Sequence, residues 1–190
     1  MAFNLVAIGT SLGGLSALKI VLQNLPERFI TPIAIAQHRH KESDNTLSSL
    51  LQQFTGLPIH EVEDKQKILP GHVYIAPADY HLLVEAGHFS LSTDEPVSYA
   101  RPSIDVLLES AADVYGSQMI AILLTGANRD GVQGLAAVKA RGGVTIVQEP
   151  QTAESPILPR AAISTVQVDS ILPLPCIAPY LVHLCNPAGW

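Results

Sequence analysis

Val6-Ala7-Ile8-Gly9-Thr10-Ser11-Leu12-Gly13-Gly14-Leu15 begins as a short apolar run, passes through Gly-x-Ser-x-Gly, and continues as the helix-like Ser16-Ala17-Leu18-Lys19-Ile20-Val21-Leu22. A strand that turns this sharply into a helix lifts the serine clear of the sheet. Glycines on either side spare the bend the clash of bulky neighbours. The helix start beyond it offers unpaired backbone N–H groups that can hold a negative oxygen. The stretch reads as strand, nucleophile elbow, helix. By itself the same pattern also fits a plain glycine-rich turn of an α/β protein, because short motifs recur by chance.

Outward from it, apolar and β-branched runs recur at Leu5–Ile8, Pro32–Ala36, Met119–Leu124 and Val144–Val147, each followed by a turn and a helical pattern. Helices are expected at about Leu15–Asn24, Thr46–Phe54, Ser103–Tyr115, Val132–Ala140 and Ile177–Leu184, from apolar residues three and four apart. Pro102 and Ser103 suit a helix start, and Gly116 and Gly142 suit helix stops. Strands alternating with helices predict a parallel sheet covered on both faces. Between Val73 and Thr93 the pattern changes, with Gly87-His88 at a turn, and the segment reads as an inserted antiparallel hairpin or meander. The expected fold class is α/β, a single-domain three-layer αβα arrangement with a doubly wound, mainly parallel sheet and an inserted antiparallel hairpin.

The chain has 190 residues, nearly half of them hydrophobic, enough for one substantial core, so residues 1–190 are expected to form a single domain. Its longest apolar runs are strand-sized, short of the roughly 20 residues that cross a membrane. Met1-Ala2-Phe3-Asn4 shows no basic region followed by an apolar signal core, which points to a cytoplasmic protein. Cys176 and Cys185 are too far apart for a CxxC pair and read as reduced packing residues. A formal charge of −6 with few Lys or Arg clusters argues against a nucleic-acid partner, whose affinity comes mainly from phosphate neutralisation.

In an open α/β sheet, function gathers at the carboxyl ends of the strands. Ser11 follows the first apolar run, Gln37 and His38 follow the second, and Thr125-Gly126-Ala127-Asn128-Arg129-Asp130-Gly131 follows Ile122-Leu123-Leu124. Serine, histidine and aspartate at one edge are the parts of a hydrolytic triad. His38 would take the proton of Ser11 during attack and pass it to the leaving group. Asp130 would fix the imidazole's tautomer and stabilise its positive charge. The chain order Ser, His, Asp differs from the α/β-hydrolase, chymotrypsin and subtilisin orders, so none of those folds is implied.

These residues resemble the catalytic domain of CheB, the chemotaxis protein-glutamate methylesterase, from about Val6 to Leu181. The resemblance rests on Ile8-Gly9-Thr10-Ser11-Leu12-Gly13-Gly14, Gln37-His38, Leu69-Pro70-Gly71-His72-Val73-Tyr74-Ile75-Ala76-Pro77 with His81, Arg101-Pro102-Ser103-Ile104-Asp105-Val106-Leu107, and Leu124-Thr125-Gly126 with Asp130-Gly131. It places the family's catalytic serine, histidine and aspartate on Ser11, His38 and Asp130. It implies hydrolysis of glutamate γ-methyl esters on the cytoplasmic helices of chemoreceptors, with deamidation of receptor glutamines as a companion activity. No metal or organic cofactor is implied. The backbone N–H groups of Leu12 and Ala127 are expected to form the oxyanion hole, and Arg101 is a candidate for holding the receptor segment, with a structural role as the alternative.

The chain departs from the family pattern in places. Ala127 and Asn128 stand where Thr-Gly-Met-Gly-x-Asp-Gly has methionine and glycine, Leu12 stands where threonine is usual, and Ile157-Leu158-Pro159 replaces Gly-Met-Pro. These residues are expected to border the cleft. Typical members begin with a phosphorylatable receiver domain, whereas this sequence enters the catalytic pattern within its first few residues. The expectation is a catalytic domain with no receiver, its control left to a separate regulatory protein if to any.

Competing readings of the same residues are weaker. His38 and His40 form a His-x-His pair with no third ligand at a recognisable spacing. Leu15 occupies the place of a P-loop lysine, and Ser11 the place of the second glycine of a dinucleotide fingerprint. Asp105 is expected to support the first turn of its helix. Two other functions stay open: a receptor- or partner-binding module with weak catalysis, and an esterase of small molecules.

Overall fold

Strands β1 (Leu5–Thr10), β2 (Ile33–Gln37) and β7 (Met119–Leu123) are buried along their whole length, as continuous apolar runs must be when helices cover both faces of a sheet. They form the centre of a seven-stranded sheet in the computed structural model, which describes residues 3–40 and 46–186. Met1 and Ala2, part of the stretch read for a signal sequence, lie outside the described residues.

In chain order the elements are β1, α1 (Gly14–Gln23), β2, α2 (Thr46–Gln52), β3 (Ile59–Glu61), β4 (Val73–Ile75), β5 (His81–Glu85), β6 (His88–Ser92), α3 (Ile104–Tyr115), β7, α4 (Val132–Ala140), β8 (Val144–Gln148), α5 (Ile157–Thr165), β9 (Ser170–Leu172) and α6 (Leu174–Cys185). The sheet runs β3-β4-β2-β1-β7-β8-β9, every pairing parallel, while β5 and β6 form a separate antiparallel hairpin. The order reverses direction between β1 and β7, and that is where an open α/β sheet forms its binding crevice.

Alternation along the strands divides the core in two. Val6, Ile8, Ile33, Ile35, Ile120 and Ile122 pack with α1 and α6 on one face. Leu5, Ala7, Ala34, Ala36 and Ala121 pack with α3, α4 and the hairpin on the other. Small residues on this second face let α3 lie close to the sheet. At Gly9 the approach is so tight that a Cβ would overlap the side chain of Ile104, the first residue of α3. The bare Gly9 backbone thus sets how near the start of α3 comes to the end of β1.

The α/β class, the parallel sheet and the hairpin agree with expectation. One element does not. Val73-Tyr74-Ile75 belongs to the parallel sheet, between β2 and β3, rather than to the antiparallel meander. All three residues are fully buried, and a run this short carries no sign of which sheet will bury it. β3, β9 and α5 were not anticipated, the two strands because they are three residues long and polar at one or more positions. In α5, Pro159 obscures the helical pattern, yet it occupies the first turn, where a missing N–H costs nothing.

Candidate active site

The β1–α1 turn is fixed by its own backbone. Ser11 donates its N–H to Thr125 O at 3.0 Å, Gly14 N–H returns to Ser11 O at 2.9 Å, and Gly13 adopts φ +80°, a conformation that favours glycine. Gln37, at the end of β2, donates through Nε2 to both Ser11 O at 2.9 Å and His38 O at 2.8 Å. His38 N–H in turn reaches Thr10 O at 3.0 Å. These bonds hold the ends of β1 and β2 side by side, and Ser11 and His38 line one cavity of 390 Å³ with Gln37 and Leu12.

The β7–α4 loop brings the third group. Asp130 is fully buried, and its Oδ2 lies 2.6 Å from Nε2 of His38, whose side chain is 12% exposed. Burial alone would push the Asp130 carboxyl up. Hydrogen bonds from His38, the Ile104 N–H and the Ser103 hydroxyl outweigh it and hold the carboxyl below its ordinary 3.8, so it is an anion. Oδ1 accepts from Ser103 Oγ at 2.7 Å and Asp105 N–H at 3.1 Å, and Oδ2 also accepts from Ile104 N–H at 2.7 Å. The carboxylate therefore caps the buried N–H groups at the start of α3 that have no partner within the helix, where the helix dipole favours negative charge.

The capping is mutual. Asp105, in the first turn of α3, accepts through Oδ1 from Gly131 N–H at 2.8 Å and Gly134 N–H at 2.7 Å at the start of α4. The helices touch so closely that a Cβ at Gly134 would come within 2.6 Å of Leu108 Cβ. His81, 2% exposed on β5, accepts Ser103 N–H at 3.2 Å through Nδ1 and contacts Glu95 O at 3.0 Å through Nε2. The hairpin thus steadies Ser103, and Ser103 steadies Asp130.

Burial, with the charge of Asp130 beside it, raises Asp105 from 3.8 to about 6 despite the two glycine N–H bonds. Because its folded value lies above its unfolded one, the folded protein binds the extra proton between about 4 and 6. Stability from this group is complete below that window and is lost as pH rises through it. An asparagine side chain would mimic the protonated acid, so Asp105→Asn is expected to be more stable than wild type above pH 6, by at most roughly 3 kcal/mol for the interval from 3.8 to about 6. The advantage should vanish toward pH 4, and urea midpoints for both proteins across this range provide the check.

The other residues singled out from the sequence fall around the same edge. Gly126 packs on Ser11, since a Cβ there would lie 3.2 Å from Ser11 Cβ, and Thr125 Oγ1 donates to Leu12 O at 2.8 Å. Leu12 and Ala127 therefore sit on the two backbone segments that meet at the serine. Arg101 lines a second cavity of 680 Å³ that also contains His38, Arg39 and Asn128. Its guanidinium is engaged with Asp79 Oδ1 and with the carbonyls of Thr93 and Asp94, which anchors the loop before α3. Sequence reading missed what Ser103, Gln37 and Asn128 touch. The first two lay inside quoted motifs, but their partners are distant in sequence. Asn128 was noted only as a departure, and its amide lies 3.0 Å from His38 Nδ1.

Comparison with known proteins gives one consistent family. The family described as CheB methylesterase matches residues 6–181. A protein of Leptospira interrogans, provisionally named a protein-glutamate methylesterase/protein-glutamine glutaminase, is 44% identical over 185 residues, covering 97% of this chain and 96% of the relative. A Thermotoga maritima protein-glutamate methylesterase/protein-glutamine glutaminase is 35% identical over 95% of this chain, which spans 54% of that relative. The crystal structure of the Thermotoga maritima CheB methylesterase catalytic domain superposes with a TM-score of 0.93 at 34% identity, covering 97% of this chain and all of that one.

Proposed function

The chain belongs to the CheB methylesterase family, and from that premise we propose that it hydrolyses glutamate γ-methyl esters on the cytoplasmic helices of chemoreceptors through Ser11, His38 and Asp130. The observation that carries this reading is the 2.6 Å contact between His38 Nε2 and the buried Asp130 carboxylate, beside a cavity that His38 shares with Ser11.

Asp130 accepts the Nε2–H, which leaves Nδ1 as the basic nitrogen. Nδ1 takes the hydroxyl proton of Ser11 as Oγ attacks the ester carbonyl, and Asp130 stabilises the imidazolium that results. The oxyanion is held by the N–H groups of Leu12 and Ala127. Collapse of the tetrahedral intermediate breaks the bond to the methoxy oxygen, which leaves as methanol with the proton from Nδ1. A water molecule activated at Nδ1 then hydrolyses the acyl-serine and releases the glutamate carboxylate. An amide substrate would follow the same course with ammonia as leaving group, in keeping with the glutaminase part of the relatives' names.

Purified protein given chemoreceptor carrying labelled methyl esters is expected to release labelled methanol and regenerate glutamate. Hydrolysis of simple esters with no release from the receptor would favour a small-molecule esterase. Binding to receptor without either hydrolysis would favour a non-catalytic module.

A further inference from the structure

The nitrogen that must receive the serine proton already has a partner. His38 directs Nε2–H at Asp130, so Nδ1 presents a lone pair, and Asn128 Nδ2 lies 3.0 Å from it. The orientation of this amide is fixed independently, because Asn128 Oδ1 accepts the Asp130 N–H at 3.2 Å. An amide oxygen only accepts and its nitrogen only donates, so the NH₂ group faces the imidazole. Asn128 stands in the β7–α4 loop and lines the 680 Å³ cavity beside His38, within reach of whatever enters it.

From this geometry, and resting on the triad reading above, we propose that Asn128 is a positioning residue that occupies the base's lone pair in the substrate-free protein and yields it to Ser11 when the acyl group enters. A lone pair engaged by an amide hydrogen cannot at the same moment accept the serine proton. Each attack must first break the Asn128 contact, so the resting site is held back and the held form discriminates in favour of substrates that displace the amide. The position carries glycine in the family pattern that the sequence otherwise resembles, so this brake belongs to a side chain the pattern lacks.

The test uses the whole chain and two readouts. A serine-directed phosphonofluoridate reports the nucleophilicity of Ser11, and the ¹⁵N resonance of His38 Nδ1 reports the contact itself. Exchanging one ordinary hydrogen bond predicts that Asn128→Ala reacts about three- to tenfold faster with the probe. The Nδ1 resonance should move downfield, toward an unengaged lone pair, and for a small methyl ester kcat should rise with KM little changed. Asn128→Gly should behave alike, which guards against a folding defect peculiar to one variant. An unchanged or slower reaction, or an unmoved Nδ1 resonance, overturns the proposal. Failure of the wild-type protein to label at Ser11 would instead overturn the triad reading beneath it, so the two outcomes are separable.

Discussion

Ser11→Ala is expected to lower turnover of a glutamate methyl ester by about 10⁶-fold, the scale on which serine hydrolases lose activity when the nucleophile is removed. The serine contributes little else. Its N–H bond to Thr125 and the bonds that Gly14 and Gln37 make to its carbonyl involve only the backbone of residue 11, and alanine keeps them all. The β1–α1 turn should survive, and with it the melting temperature. Residual hydrolysis above the uncatalysed rate would come from the oxyanion donors and substrate binding, which persist without the triad. Single-turnover release of labelled methanol, measured on protein with an unchanged melting curve, makes the comparison. A well-folded variant that kept most of its activity would show that another group attacks the ester.

The fold was legible where the physics is local. Leu5–Ile8 and Met119–Leu124 fit buried strands because consecutive apolar side chains on a strand need cover on both faces, and the runs are of strand length with turn residues after them. Gly13 announces a tight turn because its φ of +80° is a backbone conformation that favours glycine. What could not be read was set by distant partners. Val73–Ile75 would suit either sheet, and only its register against Ile33–Ile35 decides. Asp130 caps the start of α3 and Asp105 the start of α4, across 25 and 26 positions of sequence, which no pattern along one helix can reveal. Asn128 looked like a cleft-lining substitution, and its contact with His38 depends on how the β7–α4 loop closes over a strand 90 residues away.

Asp130→Asn is expected to cut kcat by up to about 10⁴-fold, the effect of presenting the imidazole in the wrong tautomer. The structure shows why the amide has no good orientation. Four donors converge on the carboxylate: His38 Nε2–H and Ile104 N–H at one oxygen, and Ser103 Oγ–H and Asp105 N–H at the other. An NH₂ group at the first oxygen faces the Ile104 N–H and obliges His38 to accept at Nε2, which moves the proton to Nδ1, where the base must be empty. Asn128 cannot follow by turning its amide, because its Oδ1 already accepts the N–H of residue 130, so the new Nδ1–H would face an NH₂ donor. An NH₂ group at the second oxygen keeps the tautomer but faces the Asp105 N–H, leaving a buried donor unpaired at a cost of about 1–3 kcal/mol. Either way the start of α3 loses its anionic cap. The variant should therefore lose both rate and stability, whereas Ser11→Ala loses rate alone. Measuring kcat and the urea midpoint for both variants separates the roles. An Asp130→Asn protein with wild-type kcat would mean that His38 does not depend on Asp130 for its tautomer.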